Sequence, residues 1–176
     1  KGIDFTTKTV ITKDDEKYKA DIIITTIPWM EFNEIMGMPA DIKQSISELK
    51  FSSIQTEYFS ENLDTPCQWI YYPNPELPYH RILVRHNFCP NSRGYWTETN
   101  SERIDMEEPN NNFKYMNKYA YPLNTIRKPE IMKKLLSWSE KRNVIGLGRW
   151  GEHQHYNSDV TVQLALDLAE RYIEES

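Results

Sequence analysis

The hydrophobic pattern divides the chain into three stretches of different style. The first is led by "IIITTI", Ile22 to Ile27, whose apolar positions are almost continuous. Continuous runs read as strands covered on both faces, so Ala20 to Ile27 is predicted to be a buried strand stopped by Pro28. Before it, "KTVITKDDEKYK" reads as a hairpin or loop arm, and after it "WMEFNEIMGMP" reads as a short helical turn. In "ADIKQSISEL", Ile42, Ile46 and Leu49 recur at helical spacing. From Phe51 the pattern becomes short runs rich in aromatic and β-branched residues: "FSSIQTEYFS", "CQWIYYP", "HRILVRHNF", "GYWTET" and "FKYMNKYAYP". Turn-formers in "ENLDTP", "PNPELP" and "CPNSRG" separate them, which predicts an antiparallel meander.

After Pro122 the helical period returns. "KPEIMKKLLSWSEKR" has Pro near its start and Ile131, Leu135 and Trp138 on one face. "NVIGLGR" then reads as a strand, and "SDVTVQLALDLAERYIEE" as a closing helix capped by Asn157 or Ser158. The predicted class is α+β with an α/β remnant: an antiparallel sheet of about five or six strands with flanking helices, set between α/β-style ends. The strands at Ala20 and Val144 are expected to be neighbours.

At 176 residues the chain has room for one ordinary domain. Aromatic residues make up 12%, with five Trp and eleven Tyr. They suit either an aromatic-rich sheet core or a cleft for a polar ligand. The net charge of -5 disfavours nonspecific nucleic-acid binding. No stretch resembles a membrane span. Cys67 and Cys89 do not make a disulfide framework, so a reducing cytoplasmic setting is the default expectation. The opening at Lys1, with no methionine or signal peptide, reads as a cut made inside a larger protein.

The densest candidate chemistry lies in "GRWGEHQHYNSDVTV", Gly148 to Val162. A strand ending at Gly148 lets a ligand approach the backbone, and Arg149 follows at the carboxyl end, where α/β sheets bind ligands. The helix N-terminus about ten residues on offers free N–H groups and a positive dipole end. These features suit an anion or an electron-rich ring; a plain strand–loop–helix connection is the alternative. His153 and His155 would share a face in an extended chain, but only His80 and His86 remain to complete a metal site. In "PYHRILVRHNF", Arg81 and Arg85 lie on a strand, and Arg127 is a third candidate for clamping a diphosphate. A solvated sheet face is the alternative there. Tyr119 and Tyr121 in "KYAYP" share a strand face, where a hydroxyl can meet phosphate or a loop carbonyl. No nucleophile stands in a triad order, no carboxylate pair stands out, and neither GxGxxG nor a P-loop is present.

Four of these stretches, in order, resemble UDP-galactopyranose mutases and mutase-like members of the flavin amine oxidase/protoporphyrinogen oxidase superfamily. "KADIIITTIPWMEF" resembles the late strand after the substrate domain, and "LPYHRILVRHNF" the arginine-bearing strand. "YAYPL" resembles the Tyr-Pro strand end, and "NVIGLGRWGEHQHYNSDVTV" the closing segment. The resemblance implies that 1–30 and 143–176 are end pieces of an FAD-binding Rossmann-like domain and that 31–142 is the substrate-binding sheet with its helices. It implies an FAD-dependent isomerase of a sugar nucleotide, interconverting pyranose and furanose rings in cell-surface polysaccharide biosynthesis. In that family, N5 of a reduced flavin displaces UDP from the anomeric carbon.

By the same resemblance Arg81 and Tyr121 would bind the UDP-sugar diphosphate. Gly148 and Arg149 would lie by the flavin, and Asp159, Val160 and Thr161 would open the helix facing its pyrimidine. His155 and Asn157 stand where bacterial mutases place a substrate-contacting tyrosine and a nearby aspartate, so a different sugar nucleotide or reaction is open. The FAD would belong to the full-length parent, and this fragment alone would be inactive. A homodimer is a candidate assembly; nucleic acid and membrane are not expected partners. A flavin amine oxidase-type oxidoreductase and a noncatalytic module binding a sugar nucleotide or a protein are the competing readings.

Overall fold

The structure, a computed structural model, describes residues 1–106 and 112–174. The chain forms two compact units: Lys1–Lys50 with Pro122–Ser176, and Phe51–Tyr121. In the first unit, β1 (Gly2–Asp4), β2 (Thr9–Ile11), β3 (Lys17–Lys19) and β5 (Glu34–Met36) make a four-stranded sheet in the order β3-β2-β1-β5. The hairpin read into "KTVITKDDEKYK" is present as β2–β3, closed by the Thr12 N–H to Glu16 carbonyl bond of 2.9 Å. Of the stretch read as a short helical turn only Trp29–Glu31 is helical; Glu34–Met36 is instead strand β5, paired parallel with β1. Helices α1 (Ala40–Ile46) and α3 (Lys128–Glu140) pack together, joining Ile42 and Ile46 to Ile131 and Leu135 in a core centred on the fully buried Trp29.

A second, parallel sheet joins β4 (Ile23–Thr25) to β11 (Val144–Gly146), with Val144 opposite Ile23 and Gly146 opposite Thr25. The neighbouring of these distant segments is as expected; the burial of β4 is not. Ile23 and Thr25 are buried, whereas Ile22, Ile24 and Ile27 are exposed, Ile24 at 50%. The run is continuous in sequence, but only one face of β4 is covered by the described residues.

The turn after β11 depends on absent side chains. A Cβ on Gly146 would lie 2.3 Å from the Gly151 carbonyl oxygen, and one on Gly151 would lie 2.3 Å from the Thr25 carbonyl oxygen. The indole N–H of Trp29 donates to the Gly151 carbonyl at 2.7 Å, fixing the turn to the core. Within this turn Gly148–Gly151 form a helical turn, α4, rather than a strand end. His153 follows at φ +49°, fully buried. Its Nε2 lies 3.0 Å from the Lys50 carbonyl, so Nε2 carries the proton; its buried Nδ1 has no partner among the described residues. The unit closes with α5 (Ser158–Glu174), as predicted, of which only Leu168 is buried.

The second unit is a five-stranded sheet of β6 (Phe51–Phe59), β7 (Trp69–Tyr71), β8 (Arg81–Leu83), β9 (Tyr95–Asn100) and β10 (Lys114–Pro122). A short helix α2 (Arg85–Phe88) follows β8, and a 3-10 turn, Ser101–Met106, follows β9. The five strands are those predicted and the sheet is antiparallel, but the order is β10-β6-β9-β8-β7, not a simple meander. Strand β6 pairs with β9 over Ile54–Phe59, and β10 closes its other edge. Nor is the sheet core mainly aromatic: Ile54, Ile82, Val84 and Ala120 are buried, while Trp69, Tyr71, Phe113 and Tyr115 are exposed.

Two outcomes test this account. Gly151→Ala should lower unfolding free energy by roughly 2–3 kcal/mol, because its methyl meets a backbone carbonyl that cannot retreat. Exposed Lys133→Ala should change it by no more than about 0.5 kcal/mol in the same denaturant titration. For His153, burial holds the folded imidazole below its ordinary value, and nearby Lys128 lowers it further against the Lys50 carbonyl. The unfolded chain then binds more protons as the pH falls below about 6.5, so this group destabilises the fold on acidification. Glu152, whose carboxyl is raised by burial, acts in the opposite sense nearer the carboxylate range. His153→Gln should therefore flatten the loss of stability between about pH 6.5 and pH 5 relative to the parent, measured by chemical denaturation.

Candidate functional site

The predicted site residues fall into two groups, one in each unit. In the sheet unit, strand periodicity fixes which side chains share a face. Arg81 is directly opposite both Tyr71 on β7 and Glu98 on β9, while Asn100, two residues beyond Glu98, is opposite Ile54 on β6. These residues occupy one face, and Arg81 is its charged centre. Its Nε and Nη2 donate to Glu98 Oε2 at 2.9 and 2.5 Å, and its Nη1 lies 3.3 Å from the Tyr71 hydroxyl. The guanidinium also stands 5.6 Å from the centre of the Tyr71 ring. Burial disfavours its charge, but hydrogen bonds with Tyr71 and Tyr121 and the carboxylate of Glu98 outweigh that and raise its pKa.

Arg81 and Tyr121, which the resemblance pairs, are thus brought together. What the sequence reading missed is Glu98, 7% exposed, which already neutralises the arginine. The available signal was a glutamate inside the β-run "GYWTET", a residue type depleted from strands. Beside the pair is a cavity of about 230 Å³ lined by Ser52, Ile54, His80, Asn100, Arg103 and Tyr121. Burial lowers the pKa of His80; Glu98 opposes this at 3.9 Å, and Arg81 and Arg103 reinforce it. The other arginines go elsewhere. Arg85 begins α2 and is exposed, and Arg127, in the first unit, pairs with Glu48.

In the first unit, the loop from β11 to α5 collects the remaining residues. Arg149 lies on α4 and donates from Nε and Nη2 to the Tyr156 carbonyl at 3.1 and 2.6 Å, bracing the loop. Gly148 has φ +73°, the left-handed region that favours glycine, and a Cβ there would meet only Thr161 Cγ2, at 3.0 Å. The amide of Thr161 bonds to the Asn157 carbonyl at 3.1 Å, and its hydroxyl bonds to the same atom. Gly148, Arg149, Asn157 and Thr161 are therefore one cluster at the start of α5. Asp159 and Val160 are exposed in the first turn, as are His155 and Asn157 just before it. The two histidines do not share a face: His153 is buried and His155 exposed. Among the described residues no three His, Cys, Asp or Glu side chains are placed to hold a metal ion, and no helix is long and apolar enough to cross a membrane.

Gly148 is itself buried against Thr161, so what this end of α5 offers the flat edge of a ring bearing partial negative charge is its exposed first turn. The exposed Asp159 carboxylate adds a like charge at the same helix end.

No protein-family model matches the sequence, and no curated protein matches it. Among solved structures, the chain is similar to reduced UDP-galactopyranose mutase: 17% identity, TM-score 0.68, with 85% of this chain and 40% of that chain covered. The PF1083 protein from Pyrococcus furiosus aligns at 13% identity and TM-score 0.45, over 69% of this chain and 37% of that chain. The chain spans less than half the length of these structures. Its fold is similar to that of part of UDP-galactopyranose mutase.

Proposed function

We propose that this chain is the closing part of an FAD-dependent, mutase-like enzyme acting on a sugar nucleotide. The observation that carries this reading is the Arg81–Tyr121 pair on a sheet of mutase-like fold, a charged guanidinium beside a phenol hydroxyl. Arg81 and Tyr121 receive the UDP-sugar diphosphate, Arg81 through the guanidinium edge that Glu98 does not take. Glu98 holds the guanidinium extended along the sheet. Gly148, Arg149 and the first turn of α5, Asp159 to Thr161, lie along the flavin, with the exposed helix start facing the ring. Bound there, FAD supplies the electron-rich ring nitrogen that the sugar's anomeric carbon requires. His155 and Asn157, exposed beside that helix end, contact the sugar and set which one is taken.

The end segments 1–30 and 143–176 belong to the flavin domain and 31–142 to the substrate domain. The uncovered face of β4 supports this, since a two-stranded parallel sheet with exposed Ile22, Ile24 and Ile27 is otherwise poorly buried. The setting is cytoplasmic, the product feeds cell-surface polysaccharide, and the assembly is a homodimer.

The reading requires a nucleotide-binding half encoded upstream of Lys1; a gene lacking a GxGxxG segment there overturns it. In that longer protein, Arg81→Ala combined with Glu98→Gln removes the guanidinium without stranding a buried carboxylate. Relative to Glu98→Gln alone, it should weaken UDP binding roughly ten- to a hundredfold while flavin absorbance stays normal. Arg149→Ala should instead lower flavin occupancy or shift its reduction potential. Unchanged UDP affinity in the double variant would remove the sugar-nucleotide reading and favour an amine oxidase-type oxidoreductase.

A further inference from the structure

The cavity beside Arg81 has a composition that the diphosphate clamp does not use. Its ionisable members are Arg103, from the turn after β9, and His80, from the residue before β8, whose neutral imidazole burial favours. Ser52, Asn100 and Tyr121 add a hydroxyl, an amide and a phenol, and Ile54 alone is apolar. Arg103 is half-buried and makes no ion pair among the described residues. The nearby carboxylate of Glu98 is engaged by Arg81 through two donors and lies 3.9 Å from His80. Among the described residues, the charged groups felt at His80 are the guanidiniums of Arg81 and Arg103 and the carboxylate of Glu98. Concave sites lined by one sign of charge concentrate counter-ions. At about 230 Å³ the cavity is smaller than pockets that enclose whole drug-sized ligands, roughly 300–1,000 Å³, so it suits one polar group.

We propose that this cavity is a phosphoryl subsite, in which Arg103 is the charged ligand and His80, Asn100 and Ser52 supply neutral hydrogen bonds, extending the contact made by Arg81 and Tyr121. It rests on the sugar-nucleotide reading for the identity of its occupant, one phosphoryl group of the diphosphate. Arg81 holds the outer oxygens of that diphosphate, and Arg103 takes the group that enters the cavity. Arg103 is then a residue that discriminates diphosphates from monophosphates, because only the longer anion reaches both guanidiniums.

The test titrates UDP and UMP into the longer, flavin-loaded protein and its Arg103→Ala, Arg103→Lys and Asn100→Asp variants. Arg103→Ala should weaken UDP roughly ten- to a hundredfold and UMP by less than about threefold, with flavin absorbance unchanged. Arg103→Lys should recover part of the loss, and Asn100→Asp, which adds a negative charge to the wall, should weaken UDP at least about tenfold. Equal losses for UDP and UMP, or none for either, overturn the subsite. If only the Arg81→Ala and Glu98→Gln pair loses UDP, the subsite fails and the sugar-nucleotide reading stands. If that pair binds UDP normally while Arg103→Ala weakens inorganic pyrophosphate, the reading fails and the phosphoryl subsite stands. The circular dichroism of each variant should match the parent, since Arg103 and Asn100 are only half-buried.

Discussion

The close approach of three backbone segments at Gly146, Gly151 and Thr25 is the constraint from which the first unit is built. Strand β11 can lie against β4 and turn at once into α4 only because neither glycine carries a side chain. The Trp29 indole seals the crossing by donating to the Gly151 carbonyl, so the largest core side chain and the tightest turn share one hydrogen bond. Everything downstream inherits this geometry. The left-handed Gly148 and His153 steer the chain back, Arg149 ties Tyr156, and α5 begins against Gly148 through Thr161.

In the sheet unit the corresponding organising element is electrostatic. Glu57, Thr97, Glu98 and Thr99 are buried in β6 and β9, whose aromatic side chains are only half-buried. Burying a carboxylate is costly unless its lone pairs are used, and each glutamate is provided for. Glu98 accepts from Arg81, while Glu57 accepts from Asn112 at 2.8 Å and faces Lys114 at 3.6 Å. A polar sheet of this kind is less stable than an apolar one of equal size, but it presents charged groups in fixed positions. That is the property a diphosphate site needs, because the donors are oriented before the ligand arrives.

The two candidate clusters differ in what they ask of the chain. The loop cluster relies on backbone: a glycine without a Cβ, a helix start and an arginine spent on a carbonyl. The sheet cluster relies on side chains from four strands and a turn. Backbone features suit a flat, weakly charged ring, and converging cations suit a phosphate.

By itself the sequence determined most of the strands and the long helices, and it offered candidates for the chemistry. Period-2 runs became β6 to β10, the 3.6-residue periods became α1, α3 and α5, and the pairing of β4 with β11 is as expected from reading the two chain ends as parts of one domain. Arg81 with Tyr121, and Gly148 with Arg149 and Thr161, were named through the family resemblance, and the structure brings the members of each group together. Only the tertiary structure decided the strand order, the open face of β4, the buried His153 and the role of Glu98. Strand pairing depends on which long-range partners bury most surface, and a periodic pattern is equally compatible with several partners. Whether an arginine is free or paired depends on the residue across the ladder, here 17 positions away, which no local pattern encodes.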